Sequence, residues 1–187
     1  MRTATEFRQR WGPSGPNRWA TFRASAFAGT RLNASTIEFL VAVGLPEVAA
    51  PCLSFGLPSS GPVPAVADGW GLPPNFAGLW EIGCDGSGGP ICLDETRDGE
   101  VVLLHPDTGF LRQFMNSSID LLAESMLAYR HAVLETMRRN GPSGLFDGPI
   151  PDDVVDGFWD DVLAIDAPAL DVGTFWYAEH QLLANAH

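Results

Sequence analysis

Hydrophobic and polar positions change rhythm along this chain, and the changes mark its elements. From Leu79 to Phe114 apolar residues come in short runs cut by glycine-rich turns. Leu79–Gly83 reads as a strand with Trp80 and Ile82 on one face, and Ile91–Leu93 reads as the next. Asp85-Gly86-Ser87-Gly88-Gly89 joins them. Thr96-Arg97-Asp98-Gly99 leads to a third strand, Asp-Gly being a strong hairpin signal. Val101–Leu104 is apolar at every position, which predicts a strand covered on both faces. A further short strand is predicted over Leu111–Phe114.

After Asn116 the period switches to helical steps. Ile119, Leu122, Met126, Tyr129, Val133 and Met137 form one stripe. Ser117 is the predicted cap, with Asp120 three residues on, and Asn140-Gly141-Pro142 the stop. Shorter helices are predicted over Glu6–Trp11, over Ser35–Val43 (Ile37, Leu40, Val41 and Gly44 in helical spacing, Gly44 as stop) and over Phe175–Leu183. Asp152–Ile165 reads as a helix that turns Val155, Phe158, Trp159 and Val162 inward. Its carboxylates, Asp152, Asp153, Asp156, Asp160 and Asp161, lie opposite or in the first turn, where they suit the helix dipole. Residues 51–75, with six prolines and four glycines, read as an irregular insertion holding strands at Cys52–Leu57 and Val63–Ala67. A length of 187 residues supports one hydrophobic core, hence a single domain over 1–187.

Charge then narrows the partners. The net value is −12, and it is uneven. Residues 1–31 carry six arginines against one acid, whereas residues 141–187 carry nine acids and no arginine or lysine. Such a surface repels nucleic acid and attracts a basic protein. Lysine is absent throughout, which excludes Schiff-base chemistry and a P-loop lysine. No apolar run reaches the length of about 18 residues that a membrane span needs, and the arginine-bearing start lacks the apolar core of a secretory signal. The expected location is the cytoplasm. Cys84 and Cys92 could meet across a hairpin, but buried free thiols are the reading this compartment favours for Cys52, Cys84 and Cys92.

Motifs for chemistry fail on inspection. The glycines from Gly83 to Gly89 lack GK[ST] and open a strand instead of a helix. Asp94–Gly99 imitates a calcium loop, but Arg97 puts a cation in it and His105 stands where a bidentate Glu belongs. His105, His131, His180 and His187 have no zinc-ligand spacing, so no metal or other cofactor is expected. A nucleophile elbow is missing, which leaves Cys52 or Cys84 with His105 as the one hydrolase arrangement to consider. Asp152, Asp156 and Asp160 repeat every four residues. A shared face of this kind is a solvated helix surface, a docking site for arginines of a basic partner, or a divalent-cation site.

Several segments, in this order and spacing, resemble the SUKH superfamily (Smi1/Knr4-like), and most closely its SUKH-4 type. They are Phe39–Pro46, Trp80-Glu81-Ile82-Gly83, Ile91-Cys92-Leu93-Asp94 followed by Gly99-Glu100-Val101, Asn116-Ser117-Ser118-Ile119, and Asp166–Trp176. The resemblance implies an α+β fold, an antiparallel sheet of four to six strands flanked by helices. It also implies a non-enzymatic bacterial immunity protein that binds and neutralises a cognate toxin, often a nuclease or nucleic-acid deaminase. Such proteins offer no catalytic residues to transfer, and their contact surface varies between members. The proline- and glycine-rich stretch at 51–75 departs from a compact version of the family. On this reading the acidic helix docks on the toxin's basic cleft. A general regulatory adaptor without a toxin, and a small hydrolase, are the alternatives; the sequence carries no sign of oligomeric state.

Overall fold

Residues 4–12, 19–56, 61–145 and 148–186 are described in the structure, a computed structural model. Elements follow in chain order: α1 (Ala4–Trp11), β1 (Trp19–Ala20), α2 (Ala34–Ala42), β2 (Leu45–Pro46), β3 (Val48–Ala49), β4 (Leu53–Phe55), α3 (Val66–Trp70), β5 (Leu79–Cys84), β6 (Pro90–Asp94), β7 (Glu100–His105), β8 (Leu111–Asn116), α4 (Ile119–Asn140), α5 (Asp152–Ile165) and α6 (Phe175–Ala184). Strands β3 to β8 form one six-stranded sheet in simple chain order, every neighbouring pair antiparallel, and β1 pairs with β2 beside it. The fold is α+β, as the sequence predicts.

Alternation along β6 and β7 sorts their side chains onto two faces. Ile91, Leu93, Val101 and Leu103 enter the main core with Ile119, Leu122 and Met126 of α4 and with Phe158 and Val162 of α5. Cys92, Val102 and Leu104 enter a smaller cluster with Leu79 and Val66. Strand β7 therefore lies between β6 and β8 with Val101–Leu104 buried on both sides, the meaning of its unbroken apolar run. Arg112 of β8 crosses the second face and forms ion pairs with Asp94 of β6 and Glu100 of β7. Gly83 cannot be exchanged, since a Cβ there would stand 2.2 Å from the Ser54 carbonyl oxygen of β4.

Several expectations need correction. Val63–Ala67 is not a strand. Ala65 makes a single bridge to Trp80 before α3 begins, because Pro64 has no N–H with which to extend a ladder. The stretch 51–75 thus supplies a sheet strand, β4, and the helix over the second face; Leu57, expected to close that strand, lies outside the described residues. The β6–β7 connection is a 3-10 turn over Glu95–Arg97 followed by Asp98 and Gly99 at positive φ, organised by Asp94, whose carboxylate accepts from the Thr96 N–H at 2.8 Å. Val41 is exposed, while Thr36 and Leu40 carry the buried side of α2.

Ser117 does not cap α4; Ser118 holds the cap position. Ser117 is drawn instead to Asp166, a buried carboxylate just past the end of α5. Asp166 accepts from the Ser117 N–H at 2.7 Å, from its hydroxyl at 2.8 Å and from the Asn116 amide at 3.0 Å. Asn116 in turn accepts from the Trp176 indole N–H at 2.7 Å and donates to Ser125 at 3.1 Å. One network thereby fastens the end of β8 to α4, α5 and α6. Truncating Asp166 leaves buried donors without a partner, and each such group carries a penalty of about 1–3 kcal/mol. Asp166→Ala is expected to lower the unfolding free energy by about 2–4 kcal/mol in urea titration. A loss under about 0.5 kcal/mol, the range of an ordinary surface change, would refute the role given to this network.

A half-buried acid responds to pH. Burial pushes the Glu179 carboxyl on α6 up from 4.5 to about 7, against the bond it accepts from the Tyr129 hydroxyl. Below its unfolded value the group is protonated in both states and contributes nothing. As pH rises toward 7, the unfolded chain ionises while the folded one keeps its proton, so stability falls. Partial exposure reduces the effect to about 1–2 kcal/mol. Glu179→Gln should therefore gain on the parent protein between pH 5 and pH 8 by that amount in thermal denaturation. A gap that stays constant with pH would mean the carboxyl is fully hydrated.

Candidate interaction surface

Helix α5 has two unlike sides. Val154, Val155, Phe158 and Val162 are buried, Trp159 is half-buried, and all five predicted aspartates, Asp152, Asp153, Asp156, Asp160 and Asp161, are exposed. Trp159 leans on α6, its ring 4.7 Å from that of His180 and edge-on to Tyr177. Burial there holds the His180 imidazole below its ordinary pKa, with the negative charge of Asp156 opposing. Asp156 thus faces the α6 side of the helix.

The other side of α5 meets α4 across an open groove. Small residues Ala128, Ala132 and Gly157 line it with Phe158, and its walls are His131, Glu135 and Arg139 from α4 and Asp153, Asp160 and Asp161 from α5. Arg139 donates to Asp153 at 2.8 Å and to Glu135 at 2.7 Å, and Arg138 donates to Glu135 at 2.6 Å. Those two guanidinium groups hold the Glu135 carboxyl down at about 2, and the Arg139 bond holds Asp153 below the usual carboxylate range. Sequence reasoning named the α5 wall and missed the α4 wall. The signal was present, since Glu135 stands three and four residues before Arg138 and Arg139 on one helix face. Among the described residues, Asp152, Asp156, Asp160 and Asp161 make no ion pair. In the basic start of the chain, Arg8 donates to the Val43 carbonyl at 2.6 Å, Arg10 pairs with Glu124 at 3.4 Å and Arg31 with Glu95 at 3.4 Å.

The remaining motifs are placed as architecture. The glycine-rich turn is built around Asp85, whose carboxylate accepts from the Ser87 N–H at 3.0 Å and the Gly89 N–H at 2.7 Å. In the loop that imitates a calcium site, Asp94 is engaged by Thr96 and Arg112. Cys52, Cys84 and Cys92 are free thiols, with Cys92 buried and Cys52 exposed, the latter against the expectation of burial. Cys84 lies opposite Pro90 and Cys92 opposite Glu81. Burial, with Glu81 and Asp85 adding to it, pushes the Cys84 thiol up, the reverse of what an activated nucleophile needs. His105 shares its Nε2 with the Gln113 side-chain oxygen at 3.0 Å. Among the described residues no group of three or more His, Cys, Asp or Glu is disposed to hold a metal ion, and no helix is long and apolar enough to cross a membrane.

Among curated proteins and among solved structures no significant match was found. Among protein families, the SUKH-4 immunity protein family matches residues 3–184, nearly the whole chain. The matched span contains the sheet, the buried Asp166 network and the acidic α5 together. By the extent of that match the chain belongs to the SUKH-4 immunity protein family, whose role is toxin immunity.

Proposed function

We propose that this protein neutralises its cognate toxin without chemistry, by laying the acidic face of α5 and the adjoining α4 groove over the toxin's basic, nucleic-acid-binding cleft. The toxin on this reading is a nuclease or nucleic-acid deaminase, met in the cytoplasm, whose substrate is excluded while the complex lasts. One observation carries the proposal: Asp152, Asp156, Asp160 and Asp161 project from a well-packed helix and, among the described residues, make no ion pair. Carboxylates held in place need little ordering when a partner's arginines arrive, so their attraction goes into encounter rate and orientation. Asp153 differs from the others, because Arg139 already satisfies it. The contact set is therefore Asp152, Asp156, Asp160 and Asp161 first, with Asp153 setting the position of Arg139.

The test uses the toxin encoded beside this protein. Asp160→Asn combined with Asp161→Asn is expected to slow association about tenfold at low salt and to flatten its salt dependence, with smaller changes in dissociation. Inhibition of the toxin should saturate at one equivalent. Association that keeps its rate and salt slope in the double variant would place the interface elsewhere. Inactivation of the toxin at well below one equivalent would mean turnover, and the non-enzymatic reading would fall.

A further inference from the structure

The face of the sheet turned away from α4 and α5 is thinly covered. Leu79, Cys92, Val102 and Leu104 are roofed by Val66 of α3, with Leu72, Phe76 and Phe110 packed against them. The roof ends in an aromatic ridge. Trp70 is 43% exposed, its ring meets that of Phe110 edge-on at 5.2 Å, and Phe110 meets Phe76 edge-on at 6.1 Å. Phe110 sits at φ +62°, a conformation bulky side chains rarely adopt, and its ring ends between Trp70 and Phe76. Trp70 is the exposed ring, with Phe110 and Phe76 half-buried beside it; exposed apolar surface of this kind marks interaction sites, and tryptophan is prominent among the residues that dominate their energetics.

Charge specifies what fits there. Glu81 of β5 is half-buried beside the ridge and accepts a hydrogen bond from the Trp70 indole, and burial raises its pKa. Asp68 on α3 and Asp107 in the turn before Phe110 are exposed. Residues 61–112 hold eight acids and two arginines, Arg97 and Arg112, and both arginines are drawn to Asp94 and Glu100 at the opposite end of β7. A second copy of this chain, itself at −12, would be repelled from such a rim. We propose that the Trp70–Phe110 ridge is a second docking surface, for a cationic segment of a protein partner: an arginine or lysine lies on the Trp70 ring and reaches Glu81, while a neighbouring apolar side chain covers Phe110. The cation gains from the ring face and from a carboxylate already withdrawn from water. Since the ridge and α5 lie on opposite sides of the sheet, a toxin bound at α5 leaves it open, and this site stands independently of the function proposed above.

The full isotope-labelled chain, titrated with the hexapeptide Arg-Arg-Phe-Leu-Arg-Arg and its serine-for-arginine counterpart, tests this. The arginine peptide should shift the Trp70 indole resonance and those of Phe110, and should bind more weakly as salt rises. Its Kd should weaken about tenfold in Trp70→Ala and in Glu81→Gln, the second of which keeps an acceptor for the indole should the first not fold. Equal binding of the serine peptide would remove the cation from the proposal. Shifts centred on α5, an affinity indifferent to both variants, or no binding at all would overturn the site. So would concentration-dependent self-association through Trp70 in place of peptide binding.

Discussion

Asp166 is a carboxylate in a place water barely reaches, and the whole helical layer is arranged around that fact. An unsatisfied charge there would be intolerable, so the chain must deliver donors to both oxygens in one geometry. Those donors come from Asn116 and Ser117, where β8 turns into α4, while the acceptor itself sits where α5 ends. Trp176 at the start of α6 completes the set through Asn116. Apolar packing alone would let α5 slide along α4 with little penalty, because Leu, Val and Phe contacts are not directional. The network removes that freedom and fixes which α5 residues face the groove and which face α6.

The same constraint explains where the sequence was legible. Strand β7 could be read because four consecutive apolar residues have only one comfortable place in an antiparallel sheet, inside it with both faces covered. Helices α4 and α5 could be read because their stripes repeat for several turns. The Ser117 cap could not, since local sequence offers Ser117 and Ser118 equally. The choice is made by Asp166, forty-nine residues further on. Helix α3 was hidden for a related reason: Val63-Pro64-Ala65 does run along β5, but only one bridge forms before the chain turns up over the sheet. In the candidate surface, the α5 acids were visible as a pattern. Their division between the α4 groove and the His180 side is set by the crossing of helices and has no local signature.

Electrostatics then separates what holds the molecule together from what is left for partners. Arginine is used inward. Arg112 ties three strands through Asp94 and Glu100, Arg130 donates to the Trp11 carbonyl at 3.0 Å and lies over the Trp11 ring, and Arg138 and Arg139 are both held by Glu135. With only 11 basic residues against 23 acids, most cations are consumed by structure and the excess negative charge remains outside. Self-repulsion of that excess works against the folded state, which makes the fastening of α5 by a buried network more necessary.

The docking proposed for α5 asks two things of that surface: it must be held firmly enough to arrive in register, and it must be free to change as the toxin changes. Placing the acids on the outer side of α5 meets both. Asp160 and Asp161 touch neither the Asp166 network nor the core, so exchanging them alters the partner face without loosening what positions it. The Trp70 ridge is built on a different principle, with its exposed ring continuous with the smaller core through Phe110 and Phe76. Changing a residue there disturbs packing as well as recognition. A surface tied to its core in this way is suited to a constant partner, and the acidic helix to a variable one.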